Sequence, residues 1–112
     1  MAWELEGQMS LPIDSKWLIE RQGAPDHVIR VIASDSPEFT AVYDDLPDNG
    51  SEFTGEVRTR QQTMISLRQR DDTVGYYAFH IGSRQGEQNE YLGSWGDVAN
   101  GHSGRFRLLR QP

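Results

Sequence analysis

"GSWGDVANGHSGRFRLLR", residues 93–110, decides how the chain reads. Trp95 on one side and Phe106 and Leu108 on the other fall at alternate positions with polar residues such as Arg107 between them, the period of a strand with one buried face. Between them "DVANGHSG" supplies the Gly, Asn and Asp of a tight turn. The stretch is a strand, a turn and a second strand.

The same alternation runs outward through the chain and predicts inward sets. They are Trp3, Leu5, Met9; Trp17, Ile19; Ile29, Val31, Ala33; Phe39, Ala41, Tyr43; Phe53, Val57; Ile65, Leu67; Tyr77, Phe79, Ile81; Tyr91, Trp95; and Phe106, Leu108. Glu4, Glu6, Glu20, Arg30, Thr40, Glu56 and Arg107 alternate with them and belong in water, as does His80 between Phe79 and Ile81. The separating segments "RQGAPDH", "SDSPE", "DDLPDNGSE", "RDDTVG", "SRQGEQNE" and "DVANGHSG" are short and recur at strand-length intervals, so successive strands are expected to be antiparallel neighbours. Helical periodicity is nearly absent.

The expected fold is all-β, an antiparallel up-and-down meander of about eight strands closed into a small barrel, with a two-sheet β-sandwich as the alternative. Gly7, Ala33, Ala41, Gly55 and Gly93 fall at inward positions and would relieve crowding where the sheet coils. One hairpin registers by hand. A loop at Gln61 to Thr63 places Thr59 beside Ile65 and Val57 beside Leu67, and leaves Arg58, Arg60, Arg68 and Arg70 on one exposed face. That face is either a solvated, charge-protected surface or an anion-docking patch for a partner.

At 112 residues the chain is expected to form one domain, residues 1–112. It has no cysteine, which excludes disulfides, thiolate metal sites and a thiol nucleophile. Net charge is −6, unevenly spread. Residues 1–56 hold twelve acids against Lys16, Arg21 and Arg30, whereas residues 57–112 hold five acids against eight arginines. An acidic whole argues against general nucleic-acid binding, which depends on neutralising phosphates. No stretch reaches membrane-spanning length, and the start "MAWELEGQMSLPIDSKW" lacks a basic segment followed by an apolar run. A cytoplasmic protein or an excised domain, with no membrane contact, is the expectation.

The meander, Trp3 near the start and the closing "GSWGDVANGHSGRFRLLR" resemble the calycin group of lipocalin-like and avidin-like barrels. The sharp motif is the glycine-x-tryptophan step Gly93, Ser94, Trp95. In lipocalins and avidins that step lies on the first strand, and the lipocalin tryptophan packs under an arginine from the last strand; here the step is on the penultimate strand. Broad lipocalin-like bacterial domains that end in a G-x-W turn and a G-x-F-x-L strand are similar. The resemblance implies a barrel and no single ligand, and it would let Arg107 or Arg110 cover Trp3 across the closing seam.

Trp17, Tyr43, Tyr77, Tyr91 and Trp95 are the aromatic residues expected to wall a ligand cup at the barrel end opposite the termini, or else to fill the core. Arg21 shares the parity of Trp17 and Ile19, and an inward arginine needs an acidic partner or an anionic ligand. His27, His80 and His102 follow no metal-ligand spacing, and no metal or other cofactor is expected. Asp45, Asn49, Gly50 and Glu56 fall at calcium-loop positions, but the third position is Pro47, which has no side-chain oxygen. No G-x-S-x-G elbow, spaced carboxylate pair or Gly-rich phosphate loop occurs. The first reading is thus a non-enzymatic barrel binding a small anionic or aromatic ligand. The second is a filled barrel acting through its surface on a protein partner or another copy of itself, and a barrel-based isomerase or cyclase stays open as a third.

Overall fold

The structure, a computed structural model, describes residues 10–86 and 89–112. The readings at Trp3, Glu4, Leu5, Glu6, Gly7 and Met9 lie outside the described residues. Among the described residues eight strands follow one another: β1 (Lys16–Arg21), β2 (His27–Asp35), β3 (Glu38–Tyr43), β4 (Glu52–Thr59), β5 (Thr63–Asp71), β6 (Tyr76–Arg84), β7 (Glu90–Asp97) and β8 (Ser103–Arg110). Each pairs antiparallel with the next, and β8 returns to β1 with Trp17 opposite Arg110 and Arg21 opposite Phe106. The sheet is a closed barrel rather than a sandwich. Each turn segment read from the sequence falls between two strands, and this brevity makes consecutive strands neighbours.

The inward faces supply the core. Trp17, Ile19, Ile29, Val31, Phe39, Ala41, Tyr43, Phe53, Val57, Ile65, Leu67, Tyr91, Trp95, Phe106 and Leu108 are all buried, as alternation predicts. Gly93 is required where it stands, because a Cβ there would collide with the Ile81 carbonyl of the neighbouring strand. At Gly55 a Cβ would strike the Ser66 carbonyl and come 2.9 Å from the Phe39 ring.

Three expectations are corrected. Ala33 is exposed, because β2 shifts register between Val31 and Ala33 and the bulge turns the rest of the strand over. Strand β6 is inverted: Ala78, His80 and Gly82 face inward, whereas Tyr77, Phe79 and Ile81 are exposed. The pairings Leu67↔His80 and Gln69↔Ala78 hold it so, since cross-strand partners share a face. Space explains the choice. The interior beside β6 is taken by Trp95 and Phe106, and even a Cβ on Gly82 would lie 3.1 Å from the Phe106 ring. The β4–β5 hairpin pairs Thr59 with Thr63 and Val57 with Ile65, two residues from the predicted register, with the loop at residues 60–62.

The two barrel ends differ. At the end where residues 10–16 enter and residues 110–112 leave, Leu11 is buried, Trp17 packs 6.0 Å from Tyr91 and its Nε1–H donates to Ser15 Oγ at 2.9 Å. The opposite end is ringed by the connections at residues 22–26, 44–51, 72–75 and 98–102, which surround a polar cleft.

Candidate ligand mouth

The cleft has a volume of about 370 Å³. Arg21, the last residue of β1, keeps the inward parity of Trp17 and Ile19 and is 7 % exposed. One guanidinium nitrogen donates to Gln69 Oε1 at 2.6 Å and another to the Tyr43 hydroxyl at 3.0 Å. Gln69 is itself fixed, its amide donating to Tyr43 Oη and Ser51 Oγ, each at 3.0 Å. Trp95 presents its ring 5.3 Å from the Arg21 guanidinium carbon and donates Nε1–H to the Gln22 carbonyl at 3.1 Å. Tyr43 stands edge-on to Phe53 and to His27. Both mouth rings are therefore held from two sides.

Among the described residues Arg21 pairs with neutral groups. No carboxylate among them comes within 4.0 Å of its nitrogens, and its Nε–H has no hydrogen-bond partner there. Two carboxylates also line the mouth, and both are engaged elsewhere. Asp97 accepts from the Tyr76 hydroxyl at 2.9 Å and from the backbone N–H groups of Asn100 and His102, each at 3.1 Å. Burial works against its charge, but these donors outweigh burial and hold its pKa below the usual carboxylate value. Burial together with the Asp97 partner pushes Tyr76 up to about 12, so it remains a phenol. Asp71 Oδ1 accepts from the Thr73 N–H and hydroxyl, closing the β5–β6 turn.

His80 lies behind Trp95, stacked at 6.1 Å, and is 1 % exposed. Burial lowers its pKa to about 4, with the Arg21 charge adding to the effect against the Leu67 hydrogen bond. The ring is neutral at pH 7, its Nδ1–H donating to the Leu67 carbonyl at 2.9 Å and its Nε2 without a partner among the described residues.

Of the predicted wall residues, Arg21, Tyr43 and Trp95 meet at the mouth. Trp17 and Tyr91 are buried at the opposite end, and Tyr77 is on the outer surface, 38 % exposed, because β6 is inverted. Gln69, Ser51, Asp71, Tyr76 and Asp97 were missed, although parity continued through Ile65 and Leu67 reaches Gln69 and Asp71, and from Trp95 it reaches Asp97. Arg58, Arg60, Arg68 and Arg70 are all exposed, but Arg58 pairs with Glu56 and Arg70 with Asp72. His27 opens β2 and meets Asp45, whereas His102 sits in the β7–β8 turn beside Asp97. The calcium-loop residues disperse: Asn49 accepts from the Ser51 N–H and Glu56 binds Arg58 on the outer wall. No group of three metal-ligating side chains converges among the described residues.

Comparisons with protein-family models, with curated proteins and with solved structures return no match to this chain.

Proposed function

We propose that this chain is a ligand-binding barrel of calycin-like form, whose mouth takes a small molecule bearing an anionic group on a flat apolar body. The observation that carries this reading is Arg21: a guanidinium almost wholly out of water, held in place by neutral Gln69 and Tyr43, with no carboxylate of the described residues against it. A buried cation without a counter-charge is costly, and an anion entering the mouth would supply one through a charge-assisted, planar contact. Trp95 and Tyr43 line the cleft, whose volume lies within the range of small-molecule sites. The up-and-down closure supports the calycin-like reading. So does Trp17 on the first strand, whose partner on the last strand is Arg110, although the cation stacked on a tryptophan here is Arg21 against Trp95. The non-enzymatic reading rests on the mouth acids, each occupied by turn or phenol donors.

Isothermal titration of the protein with benzoate, phenyl phosphate and the uncharged analogue benzyl alcohol tests the reading. Saturable binding of at least one anion, weakened tenfold or more by Arg21→Met in a protein that still melts cooperatively, is expected. Binding that survives Arg21→Met, or preference for the uncharged analogue, sinks it.

A further inference from the structure

The connections that ring the mouth are acidic. Residues 22–26, 44–51, 72–75 and 98–102 hold Asp26, Asp44, Asp45, Asp48 and Asp72 and no lysine or arginine. Among the described residues the cleft within them is lined by one permanent cation, Arg21, against the carboxylates of Asp71 and Asp97. An anion approaching Arg21 therefore meets repulsion before it meets its partner. Two histidines of the lining can reverse this balance. His27 continues the inward parity of Ile29 and Val31, and its Nδ1 lies 3.2 Å from Asp45 Oδ2. Its ring packs edge-on at 5.2 Å against Tyr43, whose hydroxyl accepts from Arg21. His102 repeats the arrangement on the other ring that flanks Arg21: it lies 6.2 Å from Trp95, and its Nδ1 stands 3.4 Å from Asp97 Oδ2. With a carboxylate at Nδ1, a protonated ring still has its Nε2–H to donate.

Resting on the reading of the mouth as an anion site, we propose that ligand capture is coupled to protonation of His27 and His102, so that the mouth makes up its charge deficit by drawing protons as the anion enters. Imidazole is the side chain whose charge ordinarily changes between pH 5 and 8. Asp45 and Asp97 favour the charged rings, and a bound anion adds a further negative neighbour, so the mouth binds protons more readily with its ligand than without. By linkage the anion binds more tightly as pH falls. The groups around the pair do not supply this response. Asp97 is held below the usual carboxylate value, and Tyr76, which donates to the same Oδ2, remains a phenol. His80, behind Trp95, protonates only toward pH 4. Asp26 precedes His27 in the chain, and Arg21 and Asp71 are the other charged groups lining the cleft.

Isothermal titration with benzoate and benzenesulfonate, two anions whose own charge is constant from pH 5.5 to pH 8, tests it, with circular dichroism checking that the protein stays folded. The wild type is expected to bind about tenfold more tightly at pH 5.5 than at pH 8. At pH 6.5 its binding heat is expected to differ between Bis-Tris and imidazole buffers in the sense of proton uptake by the protein. The double variant His27→Gln with His102→Gln is expected to bind no more tightly at pH 5.5 than at pH 8. Equal wild-type affinity at the two pH values, a heat indifferent to the buffer, or a pH dependence that survives in the double variant overturns the proposal and leaves the anion site standing. Failure of both anions to bind at either pH overturns it too, and if phenyl phosphate also fails, the anion site falls with it.

Discussion

Two side chains inside the barrel behave in ways their residue types do not announce. His80 is neutral and packed against Trp95 and Phe106, and its depressed pKa fixes a sign. In the unfolded chain its imidazole titrates near 6.5 and in the fold near about 4, so between those values the unfolded chain binds more protons. Stability contributed by this group is complete above pH 6.5, falls as pH drops toward 4 and levels off below, a loss on the order of 3 kcal/mol. Urea unfolding from pH 7 to pH 4 should show that decline and a shallower one for His80→Gln; equal slopes would rule out His80 as its source. Arg21 answers differently. Methionine there removes a buried charge while keeping a long apolar stem, so thermal melting should be unchanged or higher even as anion binding is lost. Parity alone made Arg21 legible as an inward residue. Gln69 was harder to see, because a polar residue at an inward position looks like the end of a strand until the arginine it serves is known to lie across from it.

At the level of elements, β6 separates what alternation reveals from what it hides. Its two faces offer Tyr77, Phe79 and Ile81 against Ala78, His80 and Gly82, and hydrophobicity alone assigns the first set to the core. Volume reverses the choice, because the bulk facing β6 is already supplied by Trp95 and Phe106. Ala78→Leu should therefore overpack the interior and cost about 1–3 kcal/mol. Tyr77→Thr, on the side the sequence assigns to the core, should stay within about 0.5 kcal/mol. Chemical denaturation of the two variants decides it, and the opposite ranking would mean that the strand faces the other way. The bulge in β2 was hidden for a related reason: one extra residue changes no composition, only which side follows. Strands filled from one clearly apolar face, such as β1, β3 and β8, were read correctly.

On the scale of the whole molecule, short turns and alternation were enough to give the meander, and aromatic content with small inward residues gave its closure. The mouth was only partly legible. Its walls come from loops and strand ends distant in sequence, and nothing local in "GAPDH" or "DVANGH" reveals that they ring one cleft. Closure itself has a topological result. Because β8 hydrogen-bonds β1, and the Gln111 N–H reaches the Lys16 carbonyl at 2.8 Å, the ladder of the eight described strands has as many pairings as strands, and none of the eight ranks as first. Chain order is then almost a convention of where the ring happens to be cut. A circular permutant opened in the loop at residues 60–62, with a short Gly-Ser bridge from residue 112 to residue 10, should fold to the same barrel and keep its mouth. One opened at residues 98–102 should fold as well but lose the Asp97 turn and with it one wall of the cleft.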